Sequence, residues 1–589
     1  MNAAHRWAGV RPSESDIARH RESGSWRQAT PASDLRKWAL QTPRAIAVSA
    51  HRADGGFVTL TYAQYAEEVE RFAAVLDGLG VRVGDVVAVH LPNWWQVNAL
   101  MLACAWLGAV FAPVQPSVRR RELELVLRGV AATVCVTADE WDGVAYAAEL
   151  AALSPRLPAL RNRLVLGNSV PDGGLDLTRA AREIRTDGAI PNSSCEDADR
   201  VSVVMFTSGT TGAPKAVLHS FNTLHAGHVA PGVGARLCAD DVLYTPHPLT
   251  HALGQMVCNL IPLFAGAEAV FADVWHPDTA VDLMARRAVT YVAAAPVFIG
   301  GLVMAAQSRG GLSSLRRVVG SGATIPADLV DRVRDGLGCT LEAVWGMTEI
   351  PGGTSTDAGS DPGDWAAKSV GRPHRGAEVD LAVEGAMSEN RPGRLRVRGP
   401  ALCLATAGRD DTEPPYVLAD HDDGWYETGD LALPDGQGGI RLAGRVADRV
   451  GGTFMVPVTD VEDALRTHPD IEDAAVIGYG EGNTLVCAVV TVRTPLSLDA
   501  VRGYLTEVGM TEWYQPTRLE VVEELPRNPT GKVLKTVLRE RLNGVGPDEQ
   551  TSPPAQRSAA METASEASAV TEPRAADPCV RERRRRLRS

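Results

Sequence analysis

VSVVMFTSGTTGAPK, residues 201–215, divides into two unlike halves. Val201 to Phe206 is short, apolar and β-branched, the composition of a buried strand. The remainder is Thr207-Ser208-Gly209-Thr210-Thr211-Gly212-Ala213-Pro214-Lys215. Its two glycines let the backbone turn tightly and bring N–H groups close to a ligand. Four hydroxyls in five positions supply uncharged donors, and Lys215 adds a mobile cation. A strand that runs into a glycine- and hydroxyl-rich loop closed by lysine is suited to gripping a polyphosphate. The spacing is not that of the Walker loop, and the only Gly-Lys pair, Gly531-Lys532, is followed by Val533, which disfavours a Walker-type NTPase.

Outward from this loop, the chain alternates strands and helices, the pattern of parallel sheets covered on both faces. Ala63–Leu79 repeats Tyr65, Val69, Phe72, Leu76 and Leu79 at helical spacing, and Gly80 ends it. Val86–Leu91 reads as a strand and Trp95–Leu107 as a buried helix. Residues 168–199 are rich in Pro, Asp and Ser and are expected to form a surface excursion. After the loop, Ser220 is placed to cap a helix to about Val229. Further strands are expected at 241–245, 268–272, 318–325 and 341–345, and in the last part at 474–478 and 485–492.

Five more stretches carry polar residues that can serve a site. Pro246–Gly254 holds His247 and His251, with Pro248 between them spoiling a helical metal pair. Val318–Ile325 runs into Gly320-Ser321-Gly322-Ala323, and Leu341–Trp345 into Gly346-Met347-Thr348-Glu349. Gly424–Leu431 contains Thr428-Gly429-Asp430, with Gly444-Arg445 following. Leu525–Lys532 closes on Pro-Thr-Gly-Lys.

With the 207–215 loop, these stretches resemble, in family order and over about residues 35–545, the adenylate-forming enzymes of the ANL superfamily: acyl- and aryl-CoA ligases, adenylation domains of peptide synthetases, and firefly luciferase. The resemblance implies an α/β fold with a large N-terminal domain (35–446) of helix-covered parallel sheets and a small mobile α+β C-terminal domain (447–545). Residues 1–34 are read as a loosely held polar leader and 546–589, ending in RERRRRLRS, as a disordered tail. By resemblance, Thr207, Ser208, Gly209, Thr210, Thr211, Gly212 and Lys215 hold the leaving pyrophosphate of ATP. Gly322, Ala323, Trp345 and Gly346 lie along the nucleotide, and Thr348 holds the α-phosphate. Glu349 ligates Mg²⁺, a cation that takes carboxylate and phosphate oxygens. Asp430 accepts the ribose hydroxyls, with Arg445 beside it. His251 lies near the substrate carboxylate, Lys532 neutralises charge at the reacting oxygens, and Asp448 is the hinge. The implied reaction is ATP-dependent formation of an acyl-adenylate, then transfer to CoA.

Two departures bear on the second step. Ala447 stands where relatives carry lysine, and the loop from Val450 to Val456 is one or two residues short of its counterparts, which leaves open a carrier-protein phosphopantetheine as the acceptor thiol. A third reading is a non-catalytic nucleotide-binding protein, against which Lys215, Glu349 and Lys532 stand intact. Thr250, Ala252 and Leu253 around His251 lack the aspartate of amino-acid-activating domains and the asparagine of dihydroxybenzoate-type enzymes. This points to an apolar acid: medium-chain fatty, alicyclic or aryl, closest in look to medium-chain and cyclohexanecarboxylate-type CoA ligases.

Bulk properties agree. At 589 residues more than one domain is expected, and the net charge of −13 argues against nucleic acid as a partner. Nine scattered cysteines without a C-x-x-C pair disfavour a disulfide framework or zinc site and suit a cytoplasmic enzyme. The N-terminus has no secretory apolar run, and the apolar stretch Ala99–Val114 is too short for a membrane span. Only five of the 59 basic side chains are lysine (37, 215, 368, 532 and 535), and two of them fall in the strongest motifs. Whether the chain acts as a monomer or a homodimer is left open.

Overall fold

The structure is a computed structural model. It describes residues 7, 9–184, 195–208, 214–228, 236–322, 325, 327–382, 393–407, 414–445, 450, 456, 458–480, 483–526, 533 and 535–543. Gly209–Gly212, Ala323, Asp448 and Lys532 therefore lie outside the described residues, as does the tail.

Two nine-stranded sheets form the large N-terminal domain. In the first, Gly174–Asp176, Asn162–Leu166, Val134–Ala138, Val86–His90, Val110–Pro113 and Val203–Ser208 run parallel in that spatial order. In the second, Ile46–His51, Glu268–Ala272, Val242–Tyr244, Tyr291–Ala294, Arg317–Ser321 and Leu341–Met347 do the same. These strands are apolar along nearly their whole length because helices cover both faces. Trp95–Leu107, one such helix, is buried on every side and has no charged residue.

Each parallel run ends in an antiparallel return. Val203–Ser208 folds back into Pro214–His219, and Leu341–Met347 into Ile350–Ser355. The Thr348-Glu349 pair is thus the tip of a hairpin, and Ser208 and Pro214 flank the sequence 209–213, both at the carboxyl ends of parallel strands where open α/β sheets bind ligands. A four-stranded antiparallel sheet follows, in which Tyr426–Pro434 pairs with Ile440–Arg445 and places Asp430 opposite Arg445.

The smaller C-terminal region is a three-stranded sheet. Ile471–Tyr479 lies antiparallel to Leu485–Val492, which is parallel to Arg518–Val521. Alternation decides its two faces. Ala474 and Val476 pack with helices Val458–Arg466 and Leu498–Glu507, whereas Ala475 and Ile477 pack with Leu538 and Leu542 of Lys535–Asn543. Thr511 of this region donates to Glu122 Oε2 of the N-terminal domain at 3.0 Å.

Two expectations need correction. The leader is structured: helix Glu14–Glu22 is capped by Ser13, and helix Pro31–Gln41 by a Thr30/Ser33 capping box that crosses the expected boundary at 34/35. Trp26 is buried and donates its indole N–H to Pro400 O (2.9 Å), and the Asn222 amide satisfies both the N–H and the C=O of Arg27 (2.9 Å each). Its polar composition misled because the polar groups find partners, Arg27 with Asp34 and Arg21 with Asp199. Within the 168–199 excursion, Gly174–Asp176 forms the edge strand of the first sheet and leads into helix Leu177–Glu183, while 185–194 lie outside the described residues.

Among the described residues, no helix is long and apolar enough to cross a membrane.

Candidate active site

The Thr348-Glu349 turn is the meeting point of three sheets. Met347 pairs with Ile350, so the turn is tight, and a Cβ at Gly346 would stand 2.8 Å from the carbonyl oxygens of Ile350 and Pro351. Only glycine admits that approach. Glu349 is 4% exposed, a burial that a carboxylate tolerates only with partners. Its Oε1 accepts from Lys215 Nζ at 3.3 Å and from the Tyr426 hydroxyl at 2.9 Å, and Tyr426 also receives Lys215 at 3.1 Å. Oε2 is buried and has no hydrogen-bond partner among the described residues. Glu349 is the buried member of this pair, and Lys215, with 31% of its side chain exposed, is the partly open one.

Trp345, on the strand leading into the turn, donates its indole N–H to Asp430 Oδ2 at 3.1 Å. Asp430 is 3% exposed and its N–H donates to Thr428 Oγ1 at 3.0 Å, while the Thr428 hydroxyl donates to Leu395 O at 2.8 Å. Gly429 between them has φ +74°, and the pairing register with Gly393–Arg398 shifts here, so Thr428 anchors the strand, Gly429 bulges it and Asp430 follows the bulge. Tyr426 and Asp430 flank the bulge on one strand, which therefore reaches both Glu349 and Trp345.

The structure thus brings together Lys215, Trp345, Gly346, Thr348, Glu349 and Asp430. Thr207 and Ser208 end the preceding strand, Thr207 opposite Lys215 in register. Gly322 (φ +86°) follows Arg317–Ser321, and Arg445 ends Ile440–Arg445.

His251 belongs to a second group. It caps the turn Ala252–Gln255, its Nδ1 accepting from Leu253 N at 3.3 Å, and stacks on His247 with ring centroids 5.7 Å apart. A Cβ at Gly254 would strike Pro248 O at 2.0 Å, so the glycine permits the turn. Burial pushes the imidazole of His251 down to about 4 and that of His247 to about 3. His251 is therefore neutral at pH 7, and with Nδ1 accepting it carries its proton on Nε2. The helix continues through a π-helical turn, Met256–Leu260, an irregularity common near functional sites.

Two residues of the cluster were not singled out from sequence. Tyr426 bonds both Lys215 and Glu349, and His219 Nε2 lies 2.7 Å from Thr348 O. The available signal was period two for His219, four positions after Lys215, and for Tyr426 its place within the Thr-Gly-Asp stretch.

All four described lysines have partners: Lys215 as above, Lys535 with Glu462 (2.7 Å), Lys368 with Asp364, and Lys37 over the Trp38 ring (4.1 Å).

A buried carboxylate oxygen without a partner among the described residues, beside an ammonium, suits a divalent cation that takes oxygen ligands and a phosphate that takes the ammonium. Comparison with known proteins agrees with that chemistry. Residues 35–405 match the family model for AMP-binding enzymes, and residues 460–532 that for the AMP-binding enzyme C-terminal domain. The chain is 29% identical to the medium-chain fatty-acid–CoA ligase of Escherichia coli over 536 residues, covering 89% of this chain and 92% of that protein. It is 29% identical to the salicyl-AMP ligase / salicyl-S-ArCP synthetase of Mycobacterium tuberculosis over 538 residues, covering 89% and 93%. Among solved structures, an amide bond synthetase from Marinactinospora thermotolerans superposes with a TM-score of 0.72 at 24% identity, covering 87% of this chain and 99% of that one, a likeness of fold.

Proposed function

The chain belongs to the AMP-binding enzyme family, and from that premise we propose that it activates an apolar carboxylic acid and passes the acyl group to CoA. At the coarser level it is an adenylate-forming enzyme, a CoA ligase or an acid-adenylating enzyme. The observation that carries the finer reading of the site is Glu349, buried between Lys215 and Tyr426 with Oε2 unpartnered among the described residues.

In this reading a carboxylate oxygen of the acid attacks the α-phosphorus of ATP. The P–O bond to the β-phosphate breaks, and pyrophosphate leaves along the 207–215 loop toward Lys215. A Mg²⁺ held by Glu349 Oε2 would offset phosphate charge as it develops. Thr348 faces the α-phosphate, and Asp430, oriented by Trp345, accepts the ribose diol. Lys532 of the C-terminal region then supplies positive charge at the reacting oxygens. In the second step the thiol sulfur attacks the acyl carbon, AMP departs, and the thiol proton is released. The domain boundary falls at 446/447, with Asp448 as the pivot for alternation between the two steps. Support for an apolar acid comes from the His251 segment, where Leu249, Leu253 and Met256 are buried and no carboxylate follows the histidine.

Trp345→Phe tests the nucleotide half. It removes the indole donor from a buried carboxylate, a charge-assisted bond, and is expected to raise the KM for ATP by about tenfold with the KM for the acid unchanged. Equal ATP KM values in wild type and variant would remove Asp430 from the ribose.

The function itself is tested by incubating the protein with ATP, Mg²⁺, CoA and a panel of medium-chain, alicyclic and aryl acids, and reading products by mass spectrometry. An acyl-CoA establishes the ligase and names the acid. Acyl-adenylate or AMP without acyl-CoA would move the acceptor to a carrier-protein phosphopantetheine. No AMP with any acid of the panel would overturn the substrate class.

A further inference from the structure

Thr348-Glu349 is gripped by a residue that belongs to none of the motifs. His219 ends the strand Pro214–His219, four positions after Lys215 and therefore on the same face. From that face Lys215 reaches the Glu349 carboxylate and His219 reaches the backbone one residue earlier, its Nε2 lying 2.7 Å from Thr348 O. The imidazole is fully buried, and its Nδ1 lies 2.9 Å from Thr223 Oγ1. A carbonyl oxygen only accepts, so Nε2 carries the proton, and the Thr223 hydroxyl proton is shared between Nδ1 and Ser220 O, each 2.9 Å from Oγ1. Thr223 is itself fixed by reciprocal bonds with Ser220 at the start of helix Phe221–His228: Ser220 N donates to Thr223 Oγ1, and Thr223 N to Ser220 Oγ, each at 3.1 Å. The next carbonyl, that of Glu349, accepts from Cys403 N at 2.8 Å. Both carbonyls of the turn are thus held, one from the strand Pro214–His219 and one from Cys403, two residues before the strand Ala405–Ala407.

We propose that His219 is a positioning residue for adenylation: by holding the Thr348 carbonyl it aims the Glu349 carboxylate at the metal–phosphate complex of ATP. A backbone hydrogen bond at a tight turn sets the direction of the next side chain, and a bound metal needs its carboxylate placed to within a fraction of an ångström. His219 connects the strand Pro214–His219 to the backbone beside Glu349 on the other sheet, and with Lys215 it ties the two strands together at this point. The inference rests on the reading of Glu349 given above.

The test is calorimetric titration of the full-length protein with ATP, with and without Mg²⁺, for wild type, His219→Phe, His219→Gln and Glu349→Gln. The quantity read is the factor by which the metal tightens ATP binding, which a merely structural role would not change. His219→Phe keeps the ring volume and removes the donor. It is expected to reduce that factor by about two- to tenfold, the range of one hydrogen bond, with metal-free ATP affinity unchanged. His219→Gln, which can still donate to Thr348 O, restores most of it. A wild-type factor in folded His219→Phe, with the factor lost in Glu349→Gln, overturns the role of His219 alone. A wild-type factor in Glu349→Gln overturns the metal-ligand reading and the proposal with it. Should His219→Phe fail to fold, Thr223→Val removes the partner of Nδ1, and a wild-type factor there counts against the proposal equally.

Discussion

Glu349→Gln is expected to lower acid-dependent ATP–pyrophosphate exchange by about two to three orders of magnitude, the usual effect of removing one preorganised electrostatic contact from a transition state. Folding should survive, because glutamine keeps an acceptor for the Tyr426 hydroxyl and Lys215, partly open to solvent, is not left as a buried unpaired charge. The melting temperature should stay level or rise, since burying a carboxylate costs desolvation that an amide does not incur. Exchange within a few-fold of wild type would show that Glu349 does not meet the developing charge. A fall in melting temperature of the size expected for a broken core would show that the carboxylate serves stability instead.

Acid should unfold this protein over a narrow window below pH 6.5. His90, His225 and His247 are pushed down to about 3, and His219, His251 and His374 to about 4. Burial is the main cause in every case, with Arg119 adding to it at His90 and Arg27 at His225. The folded values lie below that of a free imidazole, so from pH 6.5 downward the unfolded chain binds protons that the folded chain refuses. Stability is therefore fully present above pH 6.5, is lost as pH falls, and the loss saturates only below the folded values. At pH 5 each such histidine costs about 2 kcal/mol. Six of them rival the whole stability of a folded domain, about 5–15 kcal/mol. Melting curves taken at half-unit steps from pH 7.5 to 4.5 should show the midpoint falling steeply below 6.5. A flat midpoint down to pH 5 would mean that these imidazoles find room or partners to charge.

The elements that sequence located best were those governed by one force. Trp95–Leu107 and Glu268–Ala272 have the expected bounds because they are apolar along most of their length, and Leu485–Val492 for the same reason. The candidate site was legible as stretches but not as an arrangement. Thr348 and Glu349 were read as following a strand, whereas they form the tip of a hairpin, because antiparallel pairing depends on the partner strand and leaves no local mark. Tyr426 escaped notice because an aromatic before Glu-Thr-Gly-Asp reads as packing until the carboxylate it meets, 77 positions away in sequence, is in view. His219 escaped for the same reason, its partner lying 129 positions away. The leader was misjudged because its order comes from bonds to Asn222, Asp199 and Pro400, and none of these can be inferred from residues 1–34.

The pairing of the lysines bears on the chemical safety of the catalyst. An acyl-adenylate is a mixed anhydride, and the nucleophiles it would acylate if it escaped are unprotonated amines. Arginine supplies most of this chain's positive charge and stays protonated, so it offers no such nucleophile. Lys215, Lys368 and Lys535 pair with carboxylates, and Lys37 lies over an indole ring. The protein thus presents its own reactive intermediate with very few targets for self-damage.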